Sequence, residues 1–244
     1  EAALGPIVVL VDAPTLIKQG HLARPIIRFL RPPAASYPSY ERVRDLVLPD
    51  WRRDPRRLKT KGSQLRSVTY RLGIAENAER NRLILRAAHH HVSRGQRVLV
   101  LCQLVEHARA LHRWYAGRTS ASSWQLDGSP DCKARVPSTI EAFRRAERGG
   151  LLIATPFFRE GINVPEIDAF VNAAAGKSEV DLAQALGRAL RPRPDKAVVA
   201  VYDFSDGGAE TRRPDKDYLE MWSLERVRIW RGLGYEVMGT VPGQ

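Results

Sequence analysis

The sequence predicts one α/β domain built on a mostly parallel β-sheet. Two observations carry this prediction: short apolar runs rich in Val, Leu and Ile recur along the chain, and segments with helical spacing of apolar residues separate them. Continuous apolar strands are buried on both faces, and strands that alternate with helices are typical of parallel sheets. The 244 residues, of which 43% are hydrophobic, suffice for one sizeable core.

The first elements are short. A β-branched run at residues 7–11 predicts a strand. Asp12 or Thr15 caps a brief helix that ends at Gly20, and residues 26–30 form a second strand bounded by Pro25.

Residues 31–66 differ in character, because prolines interrupt every periodic pattern. This composition predicts a linker or an exposed loop. Residues 51–57 are densely basic around Trp51. They suit a strand-binding arm, since bases stack on aromatic side chains, and they equally suit a solvated loop; both interpretations stay open.

From residue 77 the alternation is regular. We predict strands at 97–102, 123–126, 151–154, 169–171 and 197–202, and helices at 77–93, around His107 to Trp114, at 138–147, at 179–190 and at 215–230. The last helix is expected to pack on the domain, with Tyr218, Met221, Trp222, Leu224 and Val227 on its apolar side. A partner-binding helix is the alternative.

The charge balance favours a polyanionic partner. Lys and Arg exceed Asp and Glu by 39 to 27, a net charge of +12, and nucleic acid is the commonest polyanion. The alternative is an arginine-rich composition without a specific partner. No apolar run approaches the roughly 20 residues that span a bilayer, so no membrane partner is expected.

The cysteine and histidine patterns argue against a metal site. Cys102 and Cys132 make neither a zinc spacing nor a disulfide framework, which favours a reducing, cytoplasmic compartment. Three consecutive histidines, His89 to His91, point around a helix and not to one side. A solvated helix end explains them, and no metal is expected.

One motif fails on inspection. Gly176-Lys177-Ser178 resembles the end of an ATP-binding P-loop, but that loop needs Gly at position 171, where this chain has Val171. No other Gly-Lys-Ser/Thr triplet occurs. The chain is therefore not expected to hydrolyse ATP by itself.

Three further segments occur in a fixed order. They are residues 97–102 with the helix around His107, residues 154–165 (ATPFFREGINVP), and residues 184–192 (QALGRALRP). They resemble motifs IV, V and VI of the second, C-terminal motor domain of superfamily 2 helicases, most closely the XPB-like and restriction-subunit-like branch.

The resemblance covers about residues 67–206 and implies a RecA-like three-layer fold of the helicase C-terminal type. Residues 1–30 resemble the stretch that joins the two motor domains. We therefore predict three parts: a linker-like segment at 1–66 with a Pro/Arg-rich loop, the RecA-like domain at 67–206, and a helical extension at 207–244.

The segment that resembles motif VI carries the predicted catalytic groups. Arg188 and Arg191 are three residues apart and Gln184 lies four before Arg188, so all three share one helix face. A guanidinium is always charged and presents a planar fork to phosphate oxygens. The resemblance implies that both arginines are arginine fingers toward a nucleotide held by another domain, and that Gln184 positions water or phosphate. The alternative is a solvated helix face.

The segment that resembles motif V predicts nucleotide contacts at Glu160, Gly161 and Asn163, together with Arg188 and Arg191. Gly161 allows a close backbone approach. The family usually has Asp at position 163, so Asn163 keeps hydrogen bonding but loses the charge. An ordinary connection between strand and helix is the alternative.

A set of loop residues predicts the nucleic-acid contact. Gly128, Ser129, Arg135 and Thr155 follow predicted strands, which places them at one edge of the sheet. They are expected to hold backbone phosphates, so binding should be independent of sequence and sensitive to salt.

Taken together, the resemblance implies the second motor domain of an ATP-dependent helicase or translocase, a DNA-binding hydrolase. ATP with Mg²⁺ is expected to bind mainly to a P-loop domain, in the same polypeptide or a separate chain. DNA is the expected partner, with RNA left open. The alternative is a non-catalytic nucleic-acid clamp or partner-binding module that retains helicase motifs.

Overall fold

The computed structural model describes residues 13–53, 61–156, 167–176, 197–208 and 217–241. Within them, seven strands form one sheet in the order β3-β4-β2-β5-β6-β1-β7, and every neighbouring pair is parallel. The strands are β1 (Arg24–Leu30), β2 (Arg97–Leu101), β3 (Ser123–Leu126), β4 (Gly150–Ala154), β5 (Ala169–Asn172), β6 (Val198–Phe204) and β7 (Val237–Gly239).

Helices cover both faces of the sheet. They are α1 (Ala13–Lys18), α2 (Tyr40–Arg53), α3 (Lys61–Tyr70), α4 (Ala78–Val92), α5 (Val105–Ala116), α6 (Pro130–Arg144) and α7 (Tyr218–Gly232). One buried cluster packs α6 and α7 on the sheet through Phe143, Val227 and Trp230. A second cluster packs α4 and α5 on the other face through Leu85 and Leu111. The predicted three-layer α/β fold is confirmed.

Local signals account for the regular part of the fold. The Asn77 side chain accepts a hydrogen bond from the Arg80 N–H and caps α4, and Gly95 adopts a φ of 77° in the turn that follows. The strands predicted at 26–30, 97–102, 123–126, 151–154, 169–171 and 197–202 correspond to β1–β6. The strand predicted at 7–11 and the helix predicted at 179–190 lie outside the described residues.

The loop predicted for residues 31–66 is wrong where the structure describes it. A short 3₁₀ turn, α2 and the start of α3 occupy this segment. Val43 and Val47 of α2 pack against Leu65 of α3 in a small buried cluster, so tertiary contacts outweigh the proline signal. In the basic stretch 51–57, residues 51–53 form the last turn of α2, and the rest lies outside the described residues.

The predicted start of α6 is also wrong, because prolines lie within this helix. The helix begins at Pro130, eight residues before the predicted start, and it contains Pro137. Pro130 suits a first helical position, where the missing N–H costs nothing. The prediction that Arg135 lies in a loop is therefore wrong, because Arg135 lies on α6.

The last helix packs on the domain, as predicted, and Val227 is the one residue of the predicted apolar side that is buried. Leu219, Val227 and Trp230 are buried, whereas Met221 is half exposed. The buried face also contains Ser223 and Arg226. Because these residues are polar, the sequence pattern does not identify this face as the buried one. The described sheet takes a strand from each of the three predicted parts of the chain, and the division at residues 66 and 206 stays a prediction.

Candidate nucleic-acid interface

The carboxyl ends of β3 and β4 meet at one edge of the sheet. These strands are neighbours, and the Thr155 N–H, just past β4, donates a hydrogen bond of 3.2 Å to the carbonyl of Leu126, the last residue of β3. Gly128 and Ser129 follow directly. The structure thus brings three of the four predicted strand-contact residues to the same edge, which is where ligands bind in sheets of this kind.

Asp127 holds the turn that presents Gly128 and Ser129. Its buried carboxylate accepts a 2.8 Å hydrogen bond from the Ser129 N–H and 2.9 Å bonds from Gln125 Nε2 and Arg109 Nε. Burial alone would raise the pKa of Asp127, but the hydrogen bonds from Ser129, Gln125 and Arg109 outweigh it and hold the pKa well below its usual value. Asp127 is a positioning residue that the sequence prediction missed.

The two remaining residues differ in accessibility. Arg135 is exposed on α6, with its Nε donating to the Asp131 carbonyl at 3.2 Å and its Nη2 lying 3.4 Å from the Cys132 sulfur. Thr155 is only 4% exposed. The Arg135 side chain is therefore accessible to a phosphate in solvent. The Thr155 side chain, at the end of β4, is almost inaccessible to one.

The predicted catalytic and nucleotide-binding residues belong to parts of the chain that the structure does not describe. Glu160, Gly161, Asn163, Gln184, Arg188 and Arg191 lie outside the described residues, and their roles stay predictions. Val171, which stands where a P-loop would need glycine, is buried inside β5.

A buried ionic network lies at the carboxyl end of β6. Asp206 accepts from Arg80 Nε at 2.7 Å and from Arg226 Nη2 at 3.0 Å, and Asp203 accepts from Arg226 Nε at 2.8 Å. The Tyr37 hydroxyl adds a 2.9 Å bond to Asp206. Buried charges are tolerated where partners surround them in this way.

The same network fixes the chain immediately after β5. Three successive carbonyls accept side-chain hydrogen bonds: Ala173 from Arg80 at 3.0 Å, Ala174 from Tyr70 at 2.7 Å and Ala175 from Arg226 at 2.9 Å. Ala175 has a φ of 53°, which is rare for a residue other than glycine. This segment enters residues 177–196, where the paired arginines lie in the sequence. Sequence reasoning missed the network because its partners are far apart along the chain.

The histidines at the end of α4 have separate partners. His89 Nδ1 lies 3.1 Å from the Tyr115 hydroxyl, and His91 Nε2 lies 2.9 Å from the Tyr202 hydroxyl. Across the described ranges, no group of three or more His, Cys, Asp or Glu side chains could hold a metal ion. None of the helices in those ranges has the length and apolar character needed to cross a bilayer.

Comparison with known proteins agrees with the fold and the motifs. Residues 79–193 match the family described as the helicase conserved C-terminal domain. The crystal structure of UvsW from T4 resembles the chain with a TM-score of 0.56 and 18% identity over 89% of this chain and 41% of that one. The ATP-dependent Type ISP restriction-modification enzyme LlaBIII, solved bound to DNA, resembles it with a TM-score of 0.55 and 11% identity over 93% of this chain and 16% of that one. A search of curated protein sequences found no match.

Residues 79–193, a little under half of the chain, thus match the helicase conserved C-terminal domain, and the described part of the chain has the α/β fold of its structural relatives. The matched residues include all three segments that resemble motifs IV, V and VI. The chain spans less than half of the length of T4 UvsW, the first of these structural relatives.

Proposed function

We propose that this chain acts as the second motor domain of an ATP-dependent nucleic-acid helicase or translocase in the cytoplasm. It would contribute part of a strand-binding track and two arginine fingers to a site completed by a P-loop domain. One observation carries the proposal: the turn at Asp127 and the end of β4 at Thr155 lie side by side at the carboxyl edge of the sheet, inside a helicase C-terminal domain.

The nucleic-acid half of the proposal is supported by the described residues. The Asp127 turn, which the Ser129 N–H closes by its bond to Asp127, presents the backbone of Gly128, and Arg135 stands exposed on the following helix. Backbone N–H groups and guanidinium groups bind phosphate without reading base sequence. We therefore propose binding to DNA, with RNA as a second substrate to be tested, and with an affinity that falls with salt.

The nucleotide half rests on sequence. Gln184, Arg188 and Arg191 would face the phosphates of ATP, and Glu160, Gly161 and Asn163 would line the same cleft. ATP with Mg²⁺ would supply the energy of hydrolysis from its main site on a P-loop domain. An arginine finger speeds phosphoryl transfer by about 10³–10⁵-fold, so either arginine should be essential.

ATP hydrolysis measured with and without single-stranded DNA tests the proposal. The chain alone should be inactive, and a mixture with its P-loop partner domain should be active. Arg188→Ala or Arg191→Ala should abolish that activity, whereas Arg148→Ala, an exposed arginine beyond the motifs, should not. Activity of the isolated chain would contradict the proposal. If the mixture binds DNA strongly and in a salt-sensitive manner but does not hydrolyse ATP, the result would favour the non-catalytic clamp.

A further inference from the structure

A cleft of about 300 Å³ lies between α4 and α5, on the side of the domain opposite α6 and α7. Leu85 and Tyr115 are buried beneath it. The side chains that line it from solvent are mainly basic or aromatic: Arg82, Arg86, His89, Trp114 and Arg118.

This cleft is distinct from the predicted strand track. Trp114, Arg118 and Thr119 lie at or just past the end of α5, which leads into the start of β3, so they are near the amino edge of the sheet. Gly128 and Thr155 lie at the carboxyl edge, past the ends of β3 and β4. The two surfaces are therefore at opposite ends of the same strands.

The charges of the cleft are poorly balanced by acidic groups. Arg82 pairs with Glu79 on its own helix. In the part of the chain that the structure describes, neither Arg86 nor Arg118 has a carboxylate within ion-pair distance. Exposed guanidinium groups without counter-charges attract an anion, and their fork suits phosphate oxygens.

The aromatic group gives the anion a second feature. Trp114 is 40% exposed, which is unusual for a side chain of this size, and the Arg118 guanidinium carbon lies 4.3 Å from the centroid of its ring. Exposed aromatic rings beside arginines bind single strands, because every base has a face that can stack while its phosphate meets the cation. An acidic peptide would satisfy the arginines but would leave the indole without such a partner.

We infer that the cleft between α4 and α5 is a second binding site for single-stranded nucleic acid. Arg86 and Arg118 meet backbone phosphates, Trp114 stacks on a base, and Arg82 and His89 border the path. The site does not depend on the motor activity proposed above. It gives the domain a contact with the strand outside the track.

Binding of a fluorescent 20-nucleotide oligothymidylate tests this inference on the full chain. Trp114→Ala should weaken binding about tenfold, because it removes the stacking of one base. Trp114→Phe, which keeps an aromatic ring, should restore most of the affinity. Unchanged affinity in Trp114→Ala would overturn the inference.

The arginines are tested by the salt dependence. The double variant Arg86→Ala/Arg118→Ala should reduce the slope of log K against log salt by about 0.7 for each lost phosphate contact. Arg148→Ala/Arg231→Ala removes the same charge from exposed positions outside the cleft and should change the slope much less. Equal effects of the two double variants would mean that only overall charge matters, and would overturn the site.

Crosslinking separates this site from the track and from other partners. An oligothymidylate that carries 4-thiothymidine should crosslink to the peptide around Trp114, and Ser129→Ala/Arg135→Ala should leave that crosslink in place. If the motor proposal is wrong, the ATP hydrolysis assay will show it, whereas the crosslink near Trp114 will still form. If poly-glutamate binds through Arg86 and Arg118 while no crosslink forms near Trp114, the cleft is an acidic-peptide site and the inference is wrong.

Discussion

Arg80 and Asp206 are 126 residues apart in the sequence, yet Nε of Arg80 lies 2.7 Å from Oδ1 of Asp206 and both side chains are essentially excluded from solvent. The pair joins α4 to the carboxyl end of β6. Through Arg226, which bonds the other oxygen of Asp206, it also joins α7. The described core is therefore held together by charges as well as by apolar packing.

Removal of one partner of this pair should be strongly destabilising. Arg80→Leu leaves Asp206 with a partly uncompensated buried charge, and such losses cost about 3–5 kcal/mol. Urea unfolding followed by circular dichroism measures the change. Arg82→Ala, on the exposed side of the same helix, is the control and should cost at most about 1 kcal/mol. Similar losses in the two variants would show that the buried pair has no special weight.

Tyr70 should influence catalysis without touching the nucleotide. Its hydroxyl donates to the Ala174 carbonyl at 2.7 Å, just before the segment with the predicted arginine fingers. Tyr70→Phe should lower kcat for ATP in the reconstituted mixture while the affinity for DNA stays the same. Tyr202→Phe, which removes a hydroxyl bonded to His91 elsewhere in the domain, is the matched control. Equal kcat values for the two variants would contradict this positioning role.

Asp127 should stabilise the fold through its charge. Because its folded-state pKa lies below the ordinary value of 3.8, the stabilisation is present above about pH 4 and is lost as the pH falls below it. Asp127→Asn should therefore lower the free energy of unfolding by about 1–3 kcal/mol at neutral pH. The difference from the original protein should shrink below pH 4. A difference that stays constant down to pH 3 would refute the charge effect.

Ser129 of the Asp127 turn and the nearby Arg135 should contribute to DNA binding. Ser129→Ala/Arg135→Ala should weaken binding to single-stranded DNA, and the salt slope should fall by about 0.7 if Arg135 contacts one phosphate. Fluorescence anisotropy at several salt concentrations gives both quantities. Lys133→Ala, an exposed cation on the same helix, measures the effect of charge alone. If it matches the double variant, the predicted contact is absent.

His107 should make the protein less stable in mild acid. Burial, and then the nearby Arg80 charge, lower its pKa from 6.5 to about 3. The unfolded chain therefore binds a proton between these values and the folded chain does not, so stability falls as the pH falls through this range. The loss should reach about 3 kcal/mol between pH 7 and pH 4.

The comparison with His107→Gln isolates this effect. Glutamine does not titrate, and its amide can still donate to Asn81 Oδ1, which lies 2.9 Å from His107 Nε2. Unfolding by urea at each pH should show a shallower decline for the variant. Parallel declines would mean that His107 does not contribute to the acid sensitivity.

Local signals in the sequence determined much of this protein. Apolar strands and helical spacing predicted β1–β6 and α4, and the motifs predicted the helicase C-terminal family whose model residues 79–193 match. Each of these signals lies within a few neighbouring residues, where backbone geometry alone sets the period. The meeting of Gly128, Ser129 and Thr155 at one edge also followed, because parallel strands place their carboxyl ends together.

Only the tertiary structure decided the rest. Residues 40–53 form a helix despite Pro49, and the tertiary structure shows what its apolar side meets, because Val43 and Val47 pack against Leu65. Arg80 and Arg226 are buried because Asp203 and Asp206 receive them, although an isolated arginine is expected at the surface. Burial of a charge depends on partners that come from distant parts of the chain, and periodicity along the sequence carries no information about such partners.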